Sequence, residues 1–230
     1  MQGSLRPDEE DRLREISQRL EEAYRTGPLG NKPDPLDELI YIQLSIRTRE
    51  GAYSRTYEDL QQACGGDWRR LLELPEDALL TALEAGGMAG VKRKRLVDQL
   101  TAIIDEFGDA TLAPLAEMKT EEAERFLTDL PGVGLKTARC VLLYSLGRPV
   151  FPVDSHCLRV LERLGFLPDG VDRKSAHDPL QQIVPVDIRH DLHVNLIHHG
   201  RSLCLPGIPR CRLCPVVALC PTGTELEQVP

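Results

Sequence analysis

Aromatic residues are scarce in this 230-residue chain, at 4% with a single Trp, so the 41% hydrophobic content rests mainly on Leu, Val, Ile and Ala, which suits helices. No run of about 18 apolar residues occurs, which excludes a hydrophobic membrane-spanning helix. Met1 to Glu10 lacks the apolar core of a secretory signal, and a cytoplasmic location is expected, nucleoid-associated in a bacterium. No strand pattern, fixed-period repeat or low-complexity tract is present. Positive charge is not in excess either: 28 basic against 36 acidic residues give a net charge of −8. That total argues mildly against nucleic-acid binding, for which basic domains are the usual footprint. The distribution says more. Asp8 to Asp11 and Glu121, Glu122 and Glu124 fall in predicted first turns of helices. The one dense basic run, Lys92-Arg93-Lys94-Arg95, follows a Gly-rich turn, as either a solvated helix face or a phosphate contact.

Helical spacing is found throughout. Asp8–Tyr24 carries Leu13, Ile16, Leu20 and Ala23 on one face. Asp34 caps a helix that begins at Pro35 and runs to about Thr48. Further helices are predicted over 52–64, 67–72, 75–85, 91–107 and, briefly, 112–118.

The stretch from Leu130 to His156 organises the chain. Thr120 caps a predicted helix with apolar residues at Ala123, Phe126, Leu127 and Leu130; Pro131, Gly132, Val133 and Gly134 interrupt it; a second helix continues through Ala138, Val141 and Leu142. A helix that starts on such a turn offers free N–H groups, a ready anion site. Lys136 lies in that first turn, where a cation is disfavoured and a neutral, nucleophilic amine is favoured. Asp154 follows eighteen residues later and should cap a helix over 155–164. An amine and a carboxylate across a cleft suffice to attack an electrophilic sugar carbon. His156, two residues on, is placed either to contact phosphate or orient Asp154, or to pack.

Seven cysteines are present. Cys64, Cys140 and Cys157 are isolated on predicted helices. Cys204, Cys211, Cys214 and Cys220 crowd together with six, two and five residues between them. In a cytosolic setting such a group points to metal rather than disulfides. Structural zinc usually pairs two C-x₂₋₄-C knuckles and here there is one, Cys211–Cys214; four thiolates also suit a [4Fe–4S] cluster. His190, His193, His198 and His199 lie on the helix before the cysteines, without the Glu of an H-E-x-x-H metal helix.

Leu130 to Ala138, the Val153-Asp154-Ser155-His156 segment and the cysteine spacing together resemble the helix-hairpin-helix DNA glycosylases, in particular endonuclease III, over nearly the whole chain. The resemblance implies an all-α, two-domain fold with a DNA-binding cleft between the domains. Residues 34–149 would form the six-helix barrel domain with the hairpin. Residues 1–33 and 150–230 would form the domain that carries the [4Fe–4S] cluster on the four cysteines. It implies Lys136 and Asp154 as catalytic residues, with Gly132, Val133, Gly134, Lys92, Arg93, His156 and Arg210 among the DNA contacts. Two loops would fill the gap left by a flipped base. The first carries Arg47, where relatives often have glutamine; the second carries Met88 as the apolar wedge. Arginine has no acceptor and suits guanine's O6 and N7 better than adenine.

The expected function is a monomeric, bifunctional glycosylase and abasic-site lyase of base excision repair. It would act on oxidised pyrimidines in double-stranded DNA, with no membrane partner. The alternatives are an abasic-site lyase with little glycosylase activity and a non-catalytic DNA-binding or electron-transfer iron–sulfur protein.

Overall fold

A computed structural model describes residues 6–227 of the chain. Among these residues the regular structure is helical, with no β-strand. In chain order the α-helices are α1 (Pro7–Tyr24), α2 (Pro35–Ser45), α3 (Glu50–Ala63), α4 (Glu76–Glu84), α5 (Ala89–Phe107), α6 (Thr120–Asp129), α7 (Leu135–Tyr144), α8 (Ser155–Arg163), α9 (Arg173–Ile183), α10 (Arg189–Ser202) and α11 (Pro221–Glu227). No helix among the described residues is long and apolar enough to cross a membrane.

The chain divides into two compact units, Asn31–Arg148 and Met1–Gly30 with Pro149–Pro230. The first holds α2 to α7. Asp34 opens it as expected, its carboxylate accepting the N–H groups of Leu36 and Asp37 at 2.9 and 3.0 Å, with Pro35 at the first helical position. The few aromatic residues are concentrated here. Tyr41 meets Tyr53 and Tyr57 edge-on at 5.0 and 5.4 Å, and the Lys32 ammonium lies 4.5 and 4.6 Å from the rings of Tyr41 and Tyr57. The Trp68 indole N–H donates to Asp37 at 2.6 Å.

Several boundaries differ from the sequence reading for local reasons. Helix α2 stops at Ser45, short of Thr48, because Ile46 turns extended and Arg47 takes a left-handed φ of 53°. Lys119, not Thr120, precedes α6, and the Glu122 carboxylate reaches back to the Lys119 N–H at 3.3 Å. The segments expected over 67–72 and 112–118 are 3-10 turns at Trp68–Glu73 and Ala113–Glu117. Ala23 is exposed rather than part of the α1 core face.

In the second unit, α10 packs against both α1 and α8. Leu13, Ile16 and Leu20 are fully buried in one core with Phe151, Leu161 and Leu192. Asn195 of α10 fastens the end of α1: its side chain accepts the Thr26 N–H at 3.1 Å and donates to Glu21 at 2.8 Å. The N-terminal helix is thus an integral part of a core otherwise built from the C-terminal third. Leu13→Ala should lower the stability of this unit by about 2–5 kcal/mol, the usual cost of a large-to-small change at a fully buried site. Urea unfolding followed by circular dichroism measures it.

Candidate functional site

The hairpin is built in the Asn31–Arg148 unit. Helix α6 ends at Asp129, the Val133 N–H closes a turn on Leu130 O at 3.1 Å, and α7 starts after Gly134. Gly132 has φ 74°, and a side chain there would sit 2.7 Å from Arg95 Nε, so glycine is needed for both conformation and space. Two buried glutamines hold the turn from behind. Gln99 donates to Pro131 O at 2.7 Å and Gln43 to Gly132 O at 3.4 Å. Lys136 is the second residue of α7 and half-buried, in the turn whose N–H groups have no intrahelical acceptor. Of the three hairpin residues expected to meet phosphate, Gly132 and Gly134 are exposed, whereas the Val133 side chain is buried and its N–H is used in the turn.

The same unit presents Arg47 and Met88. Both are exposed and both adopt a left-handed backbone, with φ 53° and 55°. This conformation is uncommon outside glycine. Met88 immediately precedes α5.

The basic run at the start of α5 corrects the sequence reading. Lys92, expected on a solvated helix face or at a phosphate, is 3% exposed, and its ammonium donates to Leu44 O (2.7 Å), Thr48 Oγ1 (2.6 Å) and Gly86 O (2.6 Å). Its donors are spent inside the protein, and burial holds its pKa below the ordinary lysine value. Arg93 is paired with Glu76 at 3.0 Å and Lys94 with Asp98 at 2.6 Å. Arg95 lies over Gly132. The helical twist therefore sends four consecutive cations in four directions.

In the other unit Asp154 caps α8, its Oδ1 accepting both His156 N–H (2.9 Å) and Cys157 N–H (2.7 Å). His156 is half-buried against α10, with its Nδ1 3.2 Å from Arg159 Nη2. A side chain at Gly200 of α10 would come within 2.7 Å of His156 Nδ1, so the ring fills the space that glycine leaves. Burial lowers its pKa, with Asp154 acting in opposition.

Cys204, Cys211, Cys214 and Cys220 line one cavity of this unit, together with Val160, Leu164 and Val216 among its apolar walls. None of the seven cysteines is in a disulfide. Among the described residues no group of three or more His, Cys, Asp or Glu side chains is arranged to hold a metal ion. N–H donors nevertheless face two of the four sulfurs, Arg163 Nη1 to Cys204 at 3.3 Å and the Gly223 N–H to Cys220 at 3.3 Å, and His199 Nε2 lies 3.6 Å from the sulfur of Cys214. Tyr24 Oη lies 2.8 Å from His199 Nδ1. Burial pushes the His199 pKa down to about 4, leaving a neutral ring that can donate from Nε2 and accept from Tyr24. Four soft donors, an apolar wall and N–H groups aimed at sulfur fit an iron–sulfur cluster. Arg163 also donates to Leu205 O (2.8 Å) and Gly207 O (3.0 Å), which fixes the loop bearing the exposed Arg210. The sequence reading missed His199 and Arg163. Each is one member of a set of like residues, and only the fold shows which of them reaches the cavity.

No protein-family model matches the chain. Its sequence is 28% identical to endonuclease III of Escherichia coli strain K12 over 190 residues, 83% of this chain and 85% of that protein. A protein of Arabidopsis thaliana, provisionally named as a DNA glycosylase, is 31% identical over 166 residues. That match covers 72% of this chain and only 56% of the Arabidopsis protein, so the chain spans about half of that relative. In structure, the chain matches endonuclease III from a non-covalent complex with DNA at a TM-score of 0.81 and 24% identity, covering 95% of this chain and 98% of the other.

Both cap bonds of Asp154 converge on one oxygen, and the carbonyl of an asparagine can accept both. Asp154→Asn should therefore leave stability within about 0.5 kcal/mol of the parent, whereas Asp154→Ala should lose about 1 kcal/mol. Thermal melts of the three proteins compare them directly.

Proposed function

We propose that this chain, which shares its fold with endonuclease III and 28% of its sequence over 190 residues, is a helix-hairpin-helix DNA glycosylase of base excision repair with abasic-site lyase activity. The observation that carries this reading is a lysine, Lys136, at the second position of the helix that follows the hairpin. The exposed hairpin backbone at Gly132 and Gly134 would take a phosphate, since a helix N-terminus favours an anion.

In this reading the target nucleotide is flipped out of the duplex. The neutral Lys136 amine attacks C1′ of its sugar. The bond from C1′ to the base breaks, and the electron pair leaves with the base, which takes up a proton. Asp154 accepts the proton released by the amine or stabilises the positive charge that builds on the sugar. The sugar ring opens with O4′ protonated, leaving an imine between C1′ and Lys136. Loss of a C2′ proton then expels the 3′ phosphate, which nicks the strand, and water releases the lysine. Oxidised pyrimidines in double-stranded DNA are the proposed substrates, and the protein would act as a monomer. A narrower glycosylase that favours lesions opposite guanine is the second reading. It is favoured by Arg47, which stands exposed on its loop with donors but no acceptor.

Cys204, Cys211, Cys214 and Cys220 would hold a [4Fe–4S] cluster. Its part would be structural, cross-linking the C-terminal segment and shaping the loop from Leu205 to Arg210. The residues of this chain that touch DNA would be those of the hairpin, the two loop tips and Arg210.

Two experiments test this reading. The parent protein should nick a labelled abasic duplex and be trapped on it by borohydride. Lys136→Gln should lose both reactions and still bind the duplex, because backbone amides and other cations hold the phosphates. Undiminished trapping by that variant would move the nucleophile elsewhere. Protein purified without oxygen should be yellow-brown and contain about four iron and four sulfide per chain. A colourless protein with stoichiometric zinc, prepared with iron in supply, would replace the cluster with a zinc site.

A further inference from the structure

A buried ammonium is costly unless every donor finds an acceptor. Lys92 meets that requirement with groups from two segments remote from each other in sequence: Leu44 O and Thr48 Oγ1 on one side, Gly86 O on the other. Thr48 Oγ1 also bonds directly to Gly86 O, so the three groups form a closed knot. Gly86 makes room for it, since a side chain there would lie 3.3 Å from the Lys92 nitrogen. Arg47 sits between Leu44 and Thr48 in the chain, and Met88 two residues beyond Gly86. The knot thus fastens the base of each loop whose tip is held in a left-handed backbone conformation. One helix turn further along α5, Arg95 lies against Gly132, and Gln99 one turn later donates to Pro131 O. Lys92, Arg95 and Gln99 recur at i, i+3 and i+7 on one stripe of α5.

We propose that Lys92 is a positioning residue that locks the Arg47 and Met88 loops to one another, and that α5 registers this pair of tips against the hairpin bearing Lys136. The inference rests on the DNA glycosylase reading for its ligand, a duplex with an extruded nucleotide. It adds that insertion of the two tips depends on a cation that never touches DNA. A lysine acting only in stability would change melting temperature and all steps alike. A lysine acting in registration separates insertion from binding.

The test uses the full protein and a duplex with a stable tetrahydrofuran abasic analogue facing 2-aminopurine, whose fluorescence reports loss of stacking around the gap. No chemistry is needed for this readout. The parent should change the fluorescence on binding. Lys92→Met should still bind, because phosphate contacts supply most of the affinity, yet lose most of the change at saturation. Thr48→Val, which removes one corner of the knot and leaves the lysine in place, should act in the same direction, and Thr48→Ser should restore the signal. On a lesion duplex, single-turnover base excision by Lys92→Met should fall by about 10²-fold, the order expected from a misplacement of about 1 Å. Nicking of a ready-made abasic site should fall far less. A full fluorescence change at saturation with folded Lys92→Met or Thr48→Val would overturn the proposal, as would the lack of any change with the parent. Failure of the parent to nick abasic DNA while the fluorescence results hold would strike the lyase reading alone.

Discussion

A chain of short helices is rich in helix ends, and each end leaves backbone groups that must find a partner or face water. Much of this molecule follows from that constraint. Asp34, Asp154 and Asp172 each place a carboxylate over the first N–H groups of a helix. At the hairpin the polar groups divide. Glutamines from α2 and α5 take the carbonyls of Pro131 and Gly132 from the inside. The outward side is left with the exposed backbone of Gly132 and Gly134 and the first turn of α7. The turn's acceptors at Pro131 and Gly132 are thus satisfied from within, and so is the Val133 N–H, which bonds to Leu130 O.

What was legible in the sequence was what is determined locally. A cap needs a short polar residue before an apolar period, and Asp34 and Asp154 met that description before any tertiary contact was known. The hairpin was legible for the same reason, since Pro-Gly-Val-Gly between two helical patterns admits few backbones. The end of α2 was not, because Thr48 suits a helix by pattern; it leaves because its hydroxyl is needed by Lys92 and Gly86, which come from another part of the chain.

Lys92 shows where the limit lies. Its inward direction was written in the periodicity, for Leu96, Gln99, Leu100 and Ile103 share its buried face. Four cations in a row obscured this, because charge composition and helical phase give opposite answers and composition is the easier to read. Two of the three acceptors that stabilise this buried ammonium, Leu44 O and Thr48 Oγ1, lie more than forty residues away, and no local rule connects them to it. His199 is a similar case. Its ring lies against Cys214, while the neighbouring His198 bonds to Gly27 O.

The packing of α1 against α10 sets an order for the chain's birth. The Asn31–Arg148 unit has all its partners once residue 148 has been made. Helix α1 leaves the ribosome before that unit, yet its buried face shares a core with Leu192 and Leu196. Those residues appear only after the Asn31–Arg148 unit has been made. Until then Leu13, Ile16 and Leu20 are an apolar stripe without its core, next to a unit that is already complete. The density of charge around that stripe, from Asp8 to Arg19, then serves a second purpose: it keeps an unfinished helix in solution while it waits.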